Sequence, residues 1–149
     1  MSQRYLEFHF RNGKMARNRM VVPPMASQTA DEHGFATDKT IAHYANLGRS
    51  GAGLIFAEYS FVHQTGKGEA HQLGAQDDGK TARLSRIASA IHESGALAGL
   101  QLVHVGGKTT TEITGLPLMA PSNLRVPVKG WEPGSPVEMS MREVENWKA

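Results

Sequence analysis

The segment Arg17-Asn18-Arg19-Met20-Val21-Val22-Pro23-Pro24-Met25-Ala26-Ser27 constrains the fold more than any other part of the chain. Met20 to Val22 is a short, β-branched, nearly continuous apolar run, which reads as a strand buried on both faces. Proline cannot donate to a β-ladder, so Pro23 and Pro24 mark the strand's C-terminal end or a bulge there. Small residues follow, leaving room for a flat group to lie against the backbone.

Around this strand the sequence alternates. Phe8-His9-Phe10 is followed by Asn12-Gly13, two residues that tolerate positive φ, so residues 8–16 read as a β-hairpin. After a polar loop over 28–36, Thr37 or Asp38 caps a helix whose stripe of Ile41, Tyr44, Ala45 and Leu47 ends at glycine. Gly51-Ala52-Gly53 leads into a second buried strand, Leu54-Ile55-Phe56-Ala57, with Glu58 and Tyr59 at its end and a polar loop over 60–76. Asp77 or Asp78 caps the next helix, where Leu84, Ile87, Ala88 and Ile91 recur at helical spacing until Gly95. Residues 96–103 read as a third buried strand.

Strands alternating with amphipathic helices require parallel pairing with right-handed crossovers. The fold class is therefore α/β: the N-terminal part of a (β/α)8 TIM barrel, with a hairpin at 8–16 and about three parallel barrel strands in a βαβαβ unit over 19–104. The longer, more polar loops follow the strands, as they do where such barrels place their active sites. A doubly wound sheet is the rival, but Pro-Pro-Met-Ala-Ser occupies the place of its glycine-rich phosphate loop. Residues 105–139 are rich in Thr, Pro and Gly without periodicity and read as an excursion loop. Ser140-Met141-Arg142-Glu143 is a capping box that opens a helix over 140–149, with Val144 and Trp147 starting its apolar face. The whole is read as a single, incomplete barrel domain.

Composition narrows the function. A chain of 149 residues, 40% of them apolar, can bury a real core. Its net charge of +2 is spread over scattered basic residues, so no nucleic-acid stripe is visible. With 0 Cys there is no disulfide, thiolate metal site or cysteine nucleophile. His33, His63, His71 and Asp31 lack metal-ligand spacing, so no metal is expected. No apolar run approaches the roughly 20 residues that span a bilayer, and the first residues lack a signal-peptide core. A cytoplasmic protein without a membrane or nucleic-acid partner is expected.

The run basic-Asn-Arg, apolar residues, Pro-Met resembles the first barrel strand of the Old Yellow Enzyme family of FMN-dependent ene-reductases. Tyr44-Ala45 with Gly51-Ala52-Gly53-Leu54-Ile55 resembles that family's helix and second strand, and Glu58 its strand-end Thr-Glu segment. Gln101-Leu102-Val103-His104 is similar to its Gln-Leu-Trp-His stretch, and Pro117 with Ala120-Pro121-Ser122 to its Pro-x-x-Pro-Ser loop. The ordered set is far more specific than any piece.

The resemblance implies FMN, bound without covalent attachment, with NADPH or NADH as reductant. Hydride would pass through flavin N5 to the β-carbon of an activated alkene. The main chain at Pro23, Pro24, Met25 and Ala26 would contact the isoalloxazine, Tyr59 would lie near its edge, and the Gln101 amide would bond its pyrimidine end. Gln28 is a candidate on the substrate side. Three departures stand out. Ala26 replaces a Thr or Cys that tunes the flavin, Tyr59 replaces a Gly or Ala beside the ring, and Gly107-Lys108 replaces Gly-Arg. The groups that hold the substrate carbonyl and donate its proton are expected beyond Ala149, as are the phosphate-binding strands. Alone, the chain is expected to be inactive, and to self-associate or pair with a second chain that completes the barrel. Two other readings stay open: a non-catalytic fragment or split-barrel subunit, and a non-flavin barrel enzyme. The latter would be favoured by a Schiff-base lysine at a strand end, and none is present.

Overall fold

The computed structural model describes residues 2–127, 132 and 134–146. Trp147, assigned above to the apolar face of the last helix, lies outside them. The chain opens with an antiparallel hairpin, β1 (Phe8–His9) and β2 (Met15–Ala16), with Phe8 opposite Ala16. Gly13 takes φ +81° and donates to the Phe10 carbonyl at 3.0 Å, while the Asn12 side chain accepts from Lys14 N at 3.1 Å. The hairpin forms where the sequence places it, but only Gly13 takes the positive φ expected of both residues; Asn12 contributes through its side chain instead.

Three parallel strands follow in the order β3 (Val21–Val22), β4 (Leu54–Phe61) and β5 (Leu97–Val103). Helix α1 (Asp38–Gly48) connects the first two and α2 (Thr81–His92) the last two. β3 stops at Pro23, which has no N–H to continue the ladder. α1 begins with a reciprocal cap: Thr37 Oγ1 accepts from Thr40 N, and Thr37 N donates to Thr40 Oγ1. α2 begins differently from expectation. Neither Asp77 nor Asp78 caps it through a side chain; a 3₁₀ turn, Asp78–Lys80, leads straight into it.

Both helices pack on one face of the sheet. Tyr44 of α1 and Ile87 and Ile91 of α2 form a buried cluster with Ile55 and Ala57 of β4. The other face is the inner face of a barrel sector. The hairpin sits under its N-terminal end, where Phe8, Phe10 and Ala16 line a cavity with Val21 and Leu54.

The expectation of strands buried on both faces is corrected for β3 and β5. Val21 is 51% exposed and Leu102 60% exposed, because among the described residues no strand pairs with the far edge of either one. β4, between them, does run as a central strand. It is also longer than expected and extends through Phe61, held by Phe61 N bonding Leu73 O (3.0 Å) and by a bridge to Gly74. The segment 105–139 is not structureless. It contains a one-turn helix α3 (Thr111–Thr114) and two short parallel strands, β6 (Met119–Ala120) and β7 (Val137–Glu138). Thr109 Oγ1 bonds the Lys67 carbonyl at 2.7 Å and ties this segment to the loop after β4. α4 (Met141–Asn146) starts at the Ser140–Glu143 capping box, both halves of which form.

One side chain fastens the N-terminal ends of the strands. Arg17 donates to Ala52 O through Nε (3.3 Å) and Nη2 (3.0 Å), and to Ser94 O through Nη1 (2.6 Å). The carbonyls it joins precede β4 and β5, so one guanidinium sets the entry of both strands. Beside it, a methyl at Gly53 would collide with the Asn18 backbone. Arg17→Ala should lower folding stability by about 1–3 kcal/mol, the usual cost of stranding buried acceptors. The urea midpoint of unfolding checks it.

Candidate functional site

The site is built at the C-terminal ends of β3, β4 and β5. Its geometry turns on a bulge in β4. Ala57 pairs with Leu100 and Tyr59 pairs with Gln101, so Glu58 is the extra residue. In a regular ladder Glu58 would pair with Gln101. The bulge keeps Glu58 on the helix side, 1% exposed, and turns Tyr59 onto the inner face beside Gln101.

A buried carboxyl is tolerable only when its oxygens are satisfied. Glu58 Oε1 accepts from Ser27 Oγ (2.5 Å) and from the Tyr44 hydroxyl (3.2 Å), and Oε2 accepts from Ser27 N (3.1 Å). The Tyr44 oxygen in turn accepts from Glu58 N at 2.7 Å. Burial pushes the Tyr44 phenol well above the usual tyrosine range, so it stays a donor. The sequence suggests an Arg or a backbone N–H as the partner of Glu58. The structure gives the backbone N–H of Ser27 and two hydroxyls, and no Arg bonds it among the described residues.

Ser27, so held, ends the Pro23–Ala26 loop. Pro23, Met25 and Ala26 are exposed and Pro24 is half-buried. The N–H groups of Met25 and Ala26 donate to no described residue. The Gln101 side chain, also exposed, makes no hydrogen bond among the described residues, while its backbone stays in the β4–β5 ladder. Gln28 takes a left-handed φ of +54°, unusual for a residue with a side chain, and its amide bonds the Glu69 carboxylate. Tyr59 is half-buried. Burial raises its phenol first, and a hydrogen bond to Glu69 raises it further. The structure therefore gathers Pro23, Pro24, Met25, Ala26, Gln28, Tyr59 and Gln101 at one end of the sheet. Glu69 was not legible, because it lies in a loop without periodicity.

A second polar cluster lies just outside. Thr65 Oγ1 sits 2.8 Å from His63 Nδ1 and 3.0 Å from His104 Nε2, and His104 Nδ1 accepts from Gly106 N at 3.1 Å. Burial, with His63 adding to it, depresses the His104 imidazole from 6.5 to about 4. Among the described residues no group of three or more His, Cys, Asp or Glu could hold a metal ion.

The sequence model of the NADH:flavin oxidoreductase / NADH oxidase family matches residues 8–148. The chain belongs to that family. It is 38% identical to an NADH oxidase of Thermoanaerobacter brockii over 87% of this chain and 20% of the relative. It is 31% identical to an NADPH dehydrogenase of Listeria monocytogenes over 97% of this chain and 42% of the relative. An Old Yellow Enzyme homologue from Zymomonas mobilis superposes with a TM-score of 0.87 at 24% identity, over 97% of this chain and 42% of that one. This likeness shows the fold: the βαβαβ unit and its hairpin are the N-terminal part of a TIM barrel. The chain thus spans less than half the length of these relatives.

FMN is the family's cofactor and NADH or NADPH its reductant. The donor set present fits such a group. An isoalloxazine edge offers carbonyl and ring-nitrogen acceptors together with an imide donor. The unspent amides of Met25, Ala26 and Gln101 offer the complementary groups.

The His104 shift carries a sign. A histidine that resists protonation when folded makes the unfolded chain bind more protons between pH 6.5 and about 4. That part of the stability is present above pH 6.5 and is lost as pH falls toward 4. The urea midpoint should fall over that interval, and less steeply in His104→Gln.

Proposed function

We propose that this chain carries part of the FMN site of an NAD(P)H-dependent oxidoreductase that reduces activated alkenes. The observation that supports it most is the pairing of Gln101 with Tyr59 on the inner face, beside a loop whose Met25 and Ala26 amides are unspent. FMN, when bound, supplies the two-electron relay between reduced nicotinamide and alkene.

The chain's own residues position and exclude. The Pro23–Ala26 main chain forms the floor on which the ring system rests. Its two prolines limit the floor's freedom, and Ser27 anchors its end to Glu58. The Gln101 amide holds the pyrimidine end, offering N–H and C=O from one group. Tyr59 closes the edge against water. Gln28 stands toward the substrate. Holding the reactants stacked removes an entropic part of the barrier. Ala26 has no hydroxyl or thiol, so it leaves the flavin potential to its other neighbours.

The groups that polarise the alkene carbonyl and deliver its proton belong to barrel segments outside this chain. Self-association, or a second chain completing the barrel, is part of the reading. Its support is the unpaired β5 edge, where Leu100 is 37% and Leu102 60% exposed. No helix among the described residues is long and apolar enough to cross a membrane. A cytoplasmic setting follows from the reductant, since reduced nicotinamide is available there.

The completed barrel, in which this chain is joined by the segments that carry those groups, should absorb near ~450 nm when purified with FMN and oxidise NADH or NADPH when given cyclohexenone, whereas this chain alone should not turn over the enone. Absence of both from the completed barrel would overturn the reading. Gln101→Ala should weaken FMN binding by on the order of 1 kcal/mol, several-fold in Kd. Identical affinity in the variant, measured by fluorescence titration, would remove Gln101 from the site.

A further inference from the structure

Gln28, Tyr59 and Glu69 meet at the mouth of the inner face, and the reading above uses Glu69 for nothing. They come from three places: the loop after β3, the end of β4, and the loop between β4 and α2. Tyr59 is the register neighbour of Gln101, and its phenol, whose pKa Glu69 raises, stands beside the amide assigned to the flavin.

The carboxylate is held in place. Buried Gln72 accepts from Gly68 N at 2.6 Å and donates to the Tyr59 carbonyl at 3.2 Å, and Gln72 N bonds Glu69 O at 3.3 Å. These bonds pin the main chain on both sides of Glu69 to β4. On the other side Gln28 adopts its left-handed backbone while making the contact, a conformation that costs free energy and persists only where its surroundings fix it.

The charge is also uncompensated. The side-chain hydrogen-bond partner of Glu69, the Gln28 amide, is a neutral donor that orients the carboxylate without cancelling it. No ion pair to Glu69 forms among the described residues. Lys67, two residues away, turns its ammonium to the Glu32 carbonyl, where Asp31 and Glu32 face it. Glu58 adds a second carboxyl below Tyr59.

We propose that Glu69 is a specificity-determining residue of this site, its fixed negative charge favouring neutral or cationic activated alkenes over those bearing a carboxylate. This deepens the flavin-site reading and rests on it. A like charge placed near a desolvated substrate is a standard route to discrimination. At a separation of several ångströms and an intermediate dielectric, one unit charge corresponds to roughly ten-fold in affinity.

The test compares Glu69→Gln with the unsubstituted sequence, each in the completed barrel and purified with FMN. Calorimetry with benzamidine, benzamide and benzoate, which share a ring and differ in charge, gives the binding order. Steady-state rates with cyclohexenone and acrylate give the ratio of kcat/KM values. The unsubstituted protein should bind benzamidine most tightly and benzoate least. Glu69→Gln should narrow the benzamide–benzoate gap and raise the acrylate-to-cyclohexenone ratio, each by roughly ten-fold. Glu69→Asp should restore the charge order. If Glu69→Gln does not fold, raising the ionic strength of the unsubstituted protein should narrow the same gap.

Unchanged ratios, or an equal loss for all three ligands, would overturn the proposal and leave the flavin site standing. A protein that neither binds FMN nor oxidises reduced nicotinamide would overturn the functional reading beneath it, a separate result.

Discussion

The buried carboxyl of Glu58 is the constraint on which the rest of the site depends. Taking a carboxyl to 1% exposure is costly unless its oxygens find donors. Here the donors are drawn from two other elements, Tyr44 of α1 and Ser27 of the loop after β3. The same three residues therefore fix how α1 lies on the sheet and where the Pro23–Ala26 loop ends. They also stabilise the bulge, because Glu58 can reach Tyr44 only from the helix side. The bulge in turn sends Tyr59 to the inner face. One polar requirement in the core thus decides the position of a side chain at the opposite surface.

The two ends of the sheet divide their tasks. At the N-terminal end, Arg17 joins the carbonyls before β4 and β5, Asn18 Nδ2 bonds Gly51 O at 2.8 Å, and the hairpin covers the inner face. At the C-terminal end the amides of Met25, Ala26 and Gln101 are unspent and Gln28 holds a strained backbone. This is the polarity expected of a (β/α) barrel, stability below and chemistry above. It explains why a basic Arg17 next to the organising strand is a structural clamp, whereas the uncharged Gln101 belongs with the site.

Local signals were legible where the physics is local. Asn12-Gly13 makes its turn because Gly13 takes a positive φ and the Asn12 side chain accepts from Lys14 N, Pro23 ends its strand because it lacks an N–H, and Thr37 and Ser140 start helices by bonding residues three positions on. The alternation of strand and helix gave the parallel sheet. The loop after β4 was misread in extent, since Phe61 continues the strand through partners at Val103, Leu73 and Gly74, all more than ten residues away. The same holds for β6 and β7, whose pairing joins residues on either side of a long proline-rich stretch. Two-residue strands carry no periodicity of their own.

The sequence by itself determined the fold class and the order of the βαβαβ elements, because hydrophobic period, capping and proline chemistry act over a few residues. It also supplied the seven candidate residues, through a resemblance that the family match supports. Tertiary structure alone decided the bulge at Glu58, the side on which Tyr59 emerges, the left-handed turn at Gln28 and the arrival of Glu69 over the site. Each of these depends on which donors come within reach once the elements have packed. A carboxyl's partners are set by distance in space, and no spacing along the chain encodes them.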